Sequence, residues 1–587
     1  MILILQVFYS IFSALLLGLA LPTENSLLGN PYLTLIALVP FYFAFRNVKN
    51  YKQAFLLGFL QTAITHLISS SWLANFKNFA ALTLGASAFG TGLIGGFVFI
   101  LLYLPNSSSF SKNKLNDFSL KYDFLHSKVF RIFYFACIYT LYEWCKSVGF
   151  LGYPWAVLSA TIYRWSLLMQ LASVTGTYGI TWILAFFNAF LAEVLIVFTD
   201  CDAIQNKKNI WNLKCSFKLI MIIFSITMIH GIYQYYKERI PEKYLTAILV
   251  QPNLDSWKNQ SDDNVILKSQ RLSKEEYDKL LEENIKPELI VWPEGLLNYH
   301  FPDAEYHYTK SPSEKSLSQF IKELEVPLLS GGAYSWDKKN KVYFNSALIF
   351  DSNGKFRGFY GKNHLVPLAE AIPGMKYPKI RKFMEKVIGI SAGWSPGNQY
   401  TLFEIPCSKN PDYIEESQII DITKPFIEKK DDKTTVKISG PICFDDAFPD
   451  IMRPLFLNGS ELFVNLTNDS WSLKKSSEYQ HFIVASYRTI EYRIPMIRST
   501  NGGCTCVIDA NGKTLEMLPL FEETAFSYKV PVYKRTMTTY ARFGNWLPYS
   551  ILILTFFYIA YNIFNLKKID YIPSERKIKK TKRKNKK

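Results

Sequence analysis

A chain of 587 residues is longer than one ordinary domain, and its 49% hydrophobic and 16% aromatic residues make it apolar for a soluble protein. The formal net charge is +17, but residues 567 to 587 contain eleven Lys or Arg against Asp570 and Glu575, so about nine of the seventeen charges lie in this tail. Charge concentrated in a tail does not form a binding face, so we exclude nucleic acid as a partner. The composition predicts a membrane protein instead.

Eight apolar stretches are long enough, at about twenty residues each, to cross roughly 30 Å of hydrocarbon. The first has no Lys or Arg before its apolar run, which predicts a retained span and not a cleaved signal. We place the spans near residues 2 to 20, 31 to 46, 53 to 70, 85 to 104, 130 to 146, 174 to 198, 216 to 235 and 547 to 565.

Basic residues alternate between the loops and predict the orientation of the spans, because Lys and Arg accumulate on the cytoplasmic side. The loop 21 to 30 has none, whereas the loop 105 to 129 is rich in Lys. Both termini are then cytoplasmic, and residues 236 to 546 lie on the far side of the membrane. The predicted division is a seven-span domain (1–235), a periplasmic domain (236–546), an eighth span (547–565) and a basic cytoplasmic tail (566–587) that faces anionic lipid.

The far-side domain contains short β-type runs that are separated by helical patterns, which predicts a layered α/β domain. Its 311 residues suffice for one large core. The segment 406–436 is polar, charged and aperiodic, and we interpret it as a surface insertion. The strand candidates are TAILVQPN, LIVWPEG, PLLSGGAY, FNSALIFDSNG, KISGPICF, ELFVNLTND, PMIRST and CTCVIDANG.

Eight cysteines show no CxxC-type spacing, so the sequence predicts neither a zinc site nor a disulfide scaffold, and we expect no metal and no cofactor. They are residues 137, 145, 201, 215, 407, 443, 504 and 506.

Three segments place a reactive side chain at or just after a strand end, where functional groups collect in α/β domains. They are IVWPEG with Glu294, YGKNHLVPLAE with Lys362 and Glu370, and GPICFDDAFPD with Cys443. Taken singly, a Cys in an apolar strand is more often a packing residue, and the Glu and Lys are ordinary cap or loop charges. Together they supply a nucleophile, a base and a positive group for an oxyanion, the last assisted by the backbone amide of Phe444.

In this chain order the three residues resemble the Glu, Lys, Cys triad of the nitrilase superfamily, and the spans make the chain similar to its membrane-embedded branch, the apolipoprotein N-acyltransferases. The resemblance implies an αββα sandwich on a bundle of about eight helices. It rests on VWPEG, GKNHLVPLAE, ICF, VNLTNDSW, IPMIRSTNGG and TTYARFGNW. Four positions depart from the family pattern, namely Asp445 in place of Glu, Phe444 in place of Tyr, Ser472 in place of an aromatic residue and Ala369 in place of Gly.

The resemblance further implies two-stage acyl transfer from the sn-1 ester of a phospholipid, through a thioester on Cys443, to the N-terminal amine of a diacylglyceryl lipoprotein. Glu294 would act as base, Lys362 would stabilise developing charge, and Glu370 and Asp445 would support them. The expected setting is the bacterial inner membrane, and the expected state is a monomer. Substrate access is assigned to Trp394 and Trp471, with Ile372, Met375, Phe383 and Met384 also in the apolar stretch 371 to 396.

Two other functions remain open from the sequence. A membrane-tethered amidase would use the same triad and let water resolve the thioester. A transporter with a regulatory domain is disfavoured because the spans contain few charges, Glu143 being the clearest.

Overall fold

The computed structural model describes residues 2–76, 80–106, 127–199, 207–258, 260–367, 369–371, 379, 382, 386, 393–413 and 433–570. The access candidates Ile372, Met375, Phe383 and Met384, and the tail beyond residue 570, lie outside these ranges.

Helices occupy all eight of the predicted membrane segments. Five of them are long and apolar enough to cross a bilayer, namely Ile2–Ala20, Leu82–Leu104, Thr177–Thr199, Ile210–Tyr236 and Trp546–Ile563. The described helices of the N-terminal half are α1 Ile2–Ala20, α2 Pro31–Ala37, α3 Val39–Phe45, α4 Tyr51–Ser69, α5 Ala80–Phe99, α6 Lys128–Ser147, α7 Ser166–Met169, α8 Ala172–Thr175, α9 Thr177–Thr199 and α10 Lys207–Tyr236.

The other three predicted spans are either interrupted or contain buried polar side chains, so they are less continuous or less apolar than the five. The second is divided at Leu38 into two short helices, α2 and α3, and Pro40 follows the break. Helix α4 buries several polar side chains, among them Gln61 and His66. Helix α6 carries Glu143 and Lys146, both buried. Length and composition therefore support a membrane protein and five of the eight predicted spans.

Small residues bring α4 and α5 into close contact. A Cβ atom at Gly95 would lie 2.2 Å from the Thr62 hydroxyl, and one at Gly58 would lie 2.8 Å from the Gly95 carbonyl oxygen. Such glycines let helix backbones approach where lipid offers no hydrophobic driving force between helices.

The part of the chain from Lys243 to Asp570 carries the predicted triad, and we call it the catalytic half. Its described residues form one mixed sheet of thirteen strands in the order β12-β11-β10-β9-β8-β7-β1-β2-β4-β5-β6, with β13 paired to β1 and β3 paired to β4. The strands are β1 Lys243–Gln251, β2 Leu289–Val291, β3 Leu297–Phe301, β4 Leu328–Asp337, β5 Val342–Phe350, β6 Phe356–Gly361, β7 Phe403–Lys409, β8 Lys433–Ser439, β9 Leu462–Thr467, β10 Met496–Thr500, β11 Cys506–Ile508, β12 Thr514–Met517 and β13 Thr524–Val532. The helices are α11 Asp262–Glu282, α12 Glu305–Tyr308, α13 Leu317–Leu324, α14 Pro449–Leu457, α15 Lys475–Tyr492, α16 Thr539–Phe543 and α17 Trp546–Asp570.

The sheet folds back on itself into two packed layers. Alternate residues of β1 face opposite cores: Ile248 packs in a cluster with α11 and α13, whereas Leu249 lies in the cluster that contains β9 and β10. The Ser499 hydroxyl of β10 donates to the Val250 carbonyl of β1 at 2.9 Å, which joins the two layers. Phe463 of β9 contacts Tyr492 of α15 on the other outer face. The layers follow the order helix, sheet, sheet, helix, which is a nitrilase-like α/β architecture.

The predicted surface insertion at 406–436 is too long. Residues up to 409 belong to β7 and residues from 433 belong to β8, and these strands pair antiparallel over six positions from Phe403 to Ser408. Ile405 and Cys407 are buried between exposed neighbours, so the segment has the period-two pattern of a strand that its charged composition hides. Residues 414–432 lie outside the described ranges.

Helix α15 lies between the catalytic layers and the membrane helices. The Gln480 amide donates to the carbonyls of Pro22 and Ser69, both at 2.7 Å, and the Trp72 indole donates to Gln480 at 3.0 Å. The Tyr487 hydroxyl donates to the Ser159 carbonyl at 2.7 Å. The two halves are thus joined through buried hydrogen bonds close to the strand ends.

Candidate active site

The sheet brings the three predicted side chains together just beyond the C-terminal ends of β2, β6 and β8. Glu294 follows β2, Lys362 comes directly after β6, and Cys443 opens the short 3₁₀ turn Cys443–Ala447 after β8. All three have 9% or less of their surface exposed. Lys362 contacts Glu294 at 3.1 Å, and the loop after β9 reaches Glu294 through the Asn468 N–H at 2.9 Å and the Cys443 sulfur through Asp469 at 3.8 Å, so the structure places the predicted residues together.

A buried ion network connects the predicted base to the predicted cation. The Lys362 ammonium lies 3.1 Å from Glu294 Oε1 and 2.9 Å from the Glu370 carboxylate. Burial raises the pKa of Glu294 despite the attraction of Lys362. Burial opposes the charge of Lys362, but the carboxylates of Glu294 and Glu370 hold its pKa well above the usual value. The network therefore keeps a permanent cation beside a carboxylate that can take up a proton.

Asn345 completes this network and was not predicted from the sequence. Its side-chain amide on β5 donates to Glu294 Oε1 at 2.7 Å and to Glu370 Oε1 at 3.1 Å. The Asn468 backbone N–H donates to Glu294 Oε2 at 2.9 Å. Each Glu294 oxygen thus has a fixed donor, which orients the base. An Asn within the strand run FNSALIF carries no signal that separates it from a packing residue.

The Cys443 backbone is held in the left-handed region, with φ of 46°. This conformation costs a non-glycine residue about 1 to 2 kcal/mol, and the surroundings must maintain it. Asn465 does so by donating to the carbonyls of Pro441 and Cys443, both at 3.3 Å. Burial, followed by the charge of Glu294, raises the pKa of the thiol well above its ordinary value. The sulfur rests as a neutral thiol that needs a base to react.

Asp445 fixes the turn of Cys443 to the loop of Lys362. The fully buried carboxylate accepts from the His364 N–H at 2.8 Å, the Tyr360 hydroxyl at 2.9 Å and the Ile442 N–H at 3.2 Å. Burial raises the pKa of Asp445 to about 7. Its oxygens accept hydrogen bonds, so Asp445 is a supporting residue and offers no donor for an oxyanion in its ionised form.

Phe444 faces the membrane half. Its ring stacks on Trp155 with centroids 4.9 Å apart and contacts Phe448 edge-on at 4.8 Å. His364 lies against both phenylalanines. The residue after the predicted nucleophile is therefore packed by a loop that belongs to the membrane helices.

The two access candidates lie in different places. Trp471 joins an aromatic cluster with Trp72, Phe76 and Trp257, and the Trp257 indole donates to the Trp471 carbonyl at 2.8 Å. This cluster bridges the membrane helices and the loop after β9. Trp394 instead lies with its ring centroid 6.4 Å from that of His300, beside β3.

A second group of charges next to Cys443 was also missed. Asp469 Oδ1 lies 3.8 Å from the Cys443 sulfur, and Asp469 Oδ2 lies 2.7 Å from His481 Nδ1. His481 Nε2 lies 2.7 Å from Asp446 Oδ1, and Arg498 pairs with Asp446. Asp469 lies within the quoted motif VNLTNDSW, but nothing in the spacing of α15 marks His481.

Cys443, Asp469 and His481 offer ligand atoms within 4.8 Å of one another, the spacing of a metal site. Both imidazole nitrogens already face carboxylates, whose charges overcome burial and raise the pKa of His481 to about 9. Both nitrogens lie 2.7 Å from carboxylate oxygens, so a metal here would have to displace these contacts and the imidazole proton.

Residues 246–535 match the family model for carbon-nitrogen hydrolase, and residues 13–190 match the model for the apolipoprotein N-acyltransferase N-terminal domain. The protein called apolipoprotein N-acyltransferase 2 of Treponema denticola is 34% identical over 95% of this chain and 97% of its own length. The protein of the same name from Treponema pallidum is 31% identical over 91% of both chains. The apolipoprotein N-acyltransferase of Borreliella burgdorferi is 29% identical over 91% of both chains.

Proposed function

The chain belongs to the apolipoprotein N-acyltransferase family, and from this premise we propose that it transfers an sn-1 acyl chain of a phospholipid to the N-terminal cysteine amine of a diacylglyceryl lipoprotein. The observation that carries the proposal is the buried network of Glu294, Lys362 and Glu370 beside the strained turn of Cys443. A thiol, a base with a raised pKa and a fixed cation are the groups that acyl transfer through a thioester needs.

In the first half-reaction Glu294 takes the thiol proton and the sulfur attacks the ester carbonyl. Lys362 and the backbone amide of Phe444 stabilise the oxyanion. The C–O bond then breaks, and Glu294 returns its proton to the departing alkoxide of the lysophospholipid. The products are the Cys443 thioester and a free alcohol, and Glu294 is again a carboxylate.

In the second half-reaction the lipoprotein amine attacks the thioester carbonyl. Glu294 removes a proton from nitrogen, the C–S bond breaks, and the sulfur recovers a proton to become a thiol. Glu370 keeps Lys362 in place through both stages, as its 2.9 Å contact with the ammonium indicates. Asp445 holds the Lys362 loop and the Cys443 turn at a constant separation.

The membrane helices place the active site next to the bilayer, where the acyl chains of both substrates stay out of water. Exposure of an acyl chain to water costs about 0.8 kcal/mol per CH₂. We assign residues 1–235 to seven spans, 236–546 to a periplasmic catalytic domain, 547–565 to the eighth span and 566–587 to a cytoplasmic tail in the bacterial inner membrane. Trp471, in the cluster between the two halves, and Trp394 line the approach of lipid. We assign the enzyme as a monomer.

Incubation with a phospholipid labelled in its sn-1 chain and a diacylated lipopeptide tests the proposal. We expect an acyl adduct on Cys443 by intact-mass spectrometry, then an N-acylated peptide and a lysophospholipid. The variant Cys443→Ala loses both, whereas Cys407→Ala, which removes a buried thiol of β7, retains them. Release of the labelled fatty acid without N-acylated peptide would identify a hydrolase and contradict the transfer.

A further inference from the structure

The Cys443 sulfur has a second carboxylate beside it that the proposed reaction does not use. Asp469 Oδ1 lies 3.8 Å from the sulfur, and among the described residues this oxygen has the thiol as its one hydrogen-bonding partner. The Asp469 side chain is 13% exposed, so it borders the open side of a buried site. Its neighbour Asn468 contacts Glu294, which means that one short loop after β9 reaches both the base and the nucleophile.

The surroundings of Asp469 keep it ionised. His481 and Arg498 overcome the effect of burial and lower the pKa of Asp469. Asp446 holds both cations from the other side, with His481 Nε2 at 2.7 Å and Arg498 in direct contact. Glu294 has the opposite environment, because burial raises its pKa. When two carboxylates at one site are shifted in opposite directions, the group with the raised pKa suits proton transfer and the other suits a constant charge.

A constant negative charge next to the sulfur hinders the first half-reaction. Asp469 raises the pKa of the Cys443 thiol, which disfavours the attacking thiolate. Once the thioester has formed, the sulfur no longer carries a proton, and Asp469 Oδ1 loses its hydrogen-bond donor. The free oxygen then remains about 3.8 Å from the sulfur that carries the acyl group, within reach of a nucleophile at the thioester carbonyl. An α-amino group with pKa of about 8 arrives there mostly as an ammonium ion at neutral pH.

Resting on the acyl transfer proposed above, we propose that Asp469 binds the α-ammonium group of the lipoprotein acceptor at the thioester. The ammonium donates one hydrogen bond to Asp469 Oδ1 and gives a proton to Glu294. The nitrogen lone pair attacks the carbonyl, and the C–N bond forms. The C–S bond breaks, the sulfur takes the remaining extra proton from nitrogen, and Glu294 releases its proton to solvent. The amide and the free thiol balance the ammonium and the thioester.

This assignment gives Asp469 a role in selecting the nucleophile. A fixed anion attracts a cationic acceptor and offers nothing comparable to water or to a neutral alcohol. The same triad that would hydrolyse a thioester in an amidase is thereby directed towards an amine. Asp469 acts on the second half-reaction, whereas Glu294, Lys362 and Cys443 act on both.

The variants Asp469→Asn and Asp446→Asn form a matched pair, because each removes one carboxylate charge from the same buried network and only Asp469 faces the sulfur. Three quantities are measured in the full-length protein: acyl-enzyme formation from phospholipid, transfer to a diacylated lipopeptide, and transfer to the analogue with an α-hydroxyl in place of the α-amine. We expect D469N to lose at least tenfold more amine transfer than D446N. We expect its acyl-enzyme formation to be at least as fast as that of D446N, because the charge that disfavours the thiolate is gone, and its transfer to the hydroxyl analogue to stay within threefold of that of D446N.

Equal losses in both half-reactions, or equal amine transfer in D469N and D446N, would overturn the role of Asp469 while leaving the acyl transfer intact. Absence of a Cys443 adduct in the unmodified protein would instead overturn the transfer itself. A second measurement needs no variant: KM for the amine acceptor should rise as pH passes about 8, where the ammonium is lost, whereas KM for the hydroxyl analogue should not. An equal pH dependence for the two acceptors would contradict ammonium binding.

Discussion

Asn345 orients two carboxylates at once through its side-chain amide. Replacing it by Ala removes the donors to Glu294 at 2.7 Å and to Glu370 at 3.1 Å. A hydrogen bond to a charged group contributes about 1.5 to 3 kcal/mol, so we expect thioester formation to slow by about 10- to 100-fold. Asn345 also lowers the pKa of Glu294, so N345A should move the acidic limb of the pH–rate profile to higher pH. Release of lysophospholipid, followed from pH 5 to 9, measures both effects.

Asn410→Ala is the matched control for this change. Asn410 is also buried and donates from its side chain, to the Pro241 carbonyl at 2.7 Å, but it lies far from Cys443 along the sheet. It should leave the pH profile unchanged. If N345A lowers the rate at every pH without shifting the acidic limb, Asn345 supports the strand and does not affect the pKa of Glu294.

His481 makes the stability of the catalytic half depend on pH. Its folded pKa is about 9, above the value of 6.5 for the free side chain, because Asp469 and Asp446 outweigh burial. The native state therefore binds the proton more tightly, and this stabilisation is complete below pH 6.5 and is lost as pH rises through 9. The difference in pKa corresponds to about 3 kcal/mol. We expect the melting temperature of the detergent-solubilised protein to fall between pH 6.5 and 9.5, and His481→Gln to remove most of that slope.

His300→Gln provides the comparison, since His300 is an exposed histidine of the same domain. It should retain the slope of the unmodified protein. The same slope in H481Q would show that another group causes the pH dependence.

At the residue scale, the grouping of Glu294, Lys362 and Cys443 could be predicted because each follows a strand and the three occur in a known order, while their catalytic roles stay a prediction. His481 and Asn345 could not, because their importance arises from contacts across the fold. His481 is separated by 35 positions from Asp446, and Asn345 by 51 from Glu294. A local pattern contains no information about such distant partners.

At the scale of elements, the loop before the 3₁₀ turn Leu158–Ile162 connects a membrane helix to the candidate active site. The Lys146 ammonium donates to the carbonyls of Trp155 and Ala156 at 2.8 and 2.9 Å, and the Trp155 ring stacks on Phe444. A helix of the bundle thus fixes the ring that supports Phe444, the residue after Cys443. The membrane half therefore contributes to the geometry of the site as well as to its location.

Trp155→Ala should loosen the Cys443 turn. Trp155 is 5% exposed, and truncation of a buried Trp costs about 3 to 5 kcal/mol of stability. We expect slower adduct formation on Cys443 and a lower melting temperature, with Trp155→Phe retaining part of both. Trp336→Ala, at a half-exposed position of β4 against Phe344 and Phe359, should lower the melting temperature less and leave adduct formation unchanged. Adduct formation in W155A at the rate of W336A would contradict a role for this loop in the site.

Two of the strands that the sequence did not predict, β7 and β13, share a physical cause. In β13, which pairs with β1 along its full length, Pro531 interrupts the pattern and most side chains are half-buried. In β7, Pro406 and charged neighbours hide the alternation of buried residues. The strands that were predicted, such as β9 and β10, are buried at every position. Burial on both faces gives a continuous apolar run that a sequence displays directly.

At the scale of the whole molecule, the five long apolar helices and the alternation of basic loops are separate sources of information. Hydropathy identifies a helix that can cross a bilayer, but it underrates α4 and α6 because their polar side chains are buried against other helices. Gln61 and Glu143 face the protein and not lipid, since both have 1% or less of their surface exposed. Loop charge is independent of this burial and indicates eight spans.

The orientation can be tested with cysteines placed at two exposed positions. Lys49→Cys lies in a loop that the charge pattern places in the cytoplasm, and Glu283→Cys lies at the end of α11 in the catalytic half. A membrane-impermeant maleimide added to intact spheroplasts should label E283C but not K49C, and both should react after permeabilisation. The unsubstituted protein gives the background from its native thiols. Labelling of both positions in intact spheroplasts would require an even number of spans between Lys49 and the catalytic half, and would contradict the five that the sequence predicts there. Labelling of K49C without E283C would invert the orientation and would place the active site in the cytoplasm, away from a periplasmic lipoprotein amine.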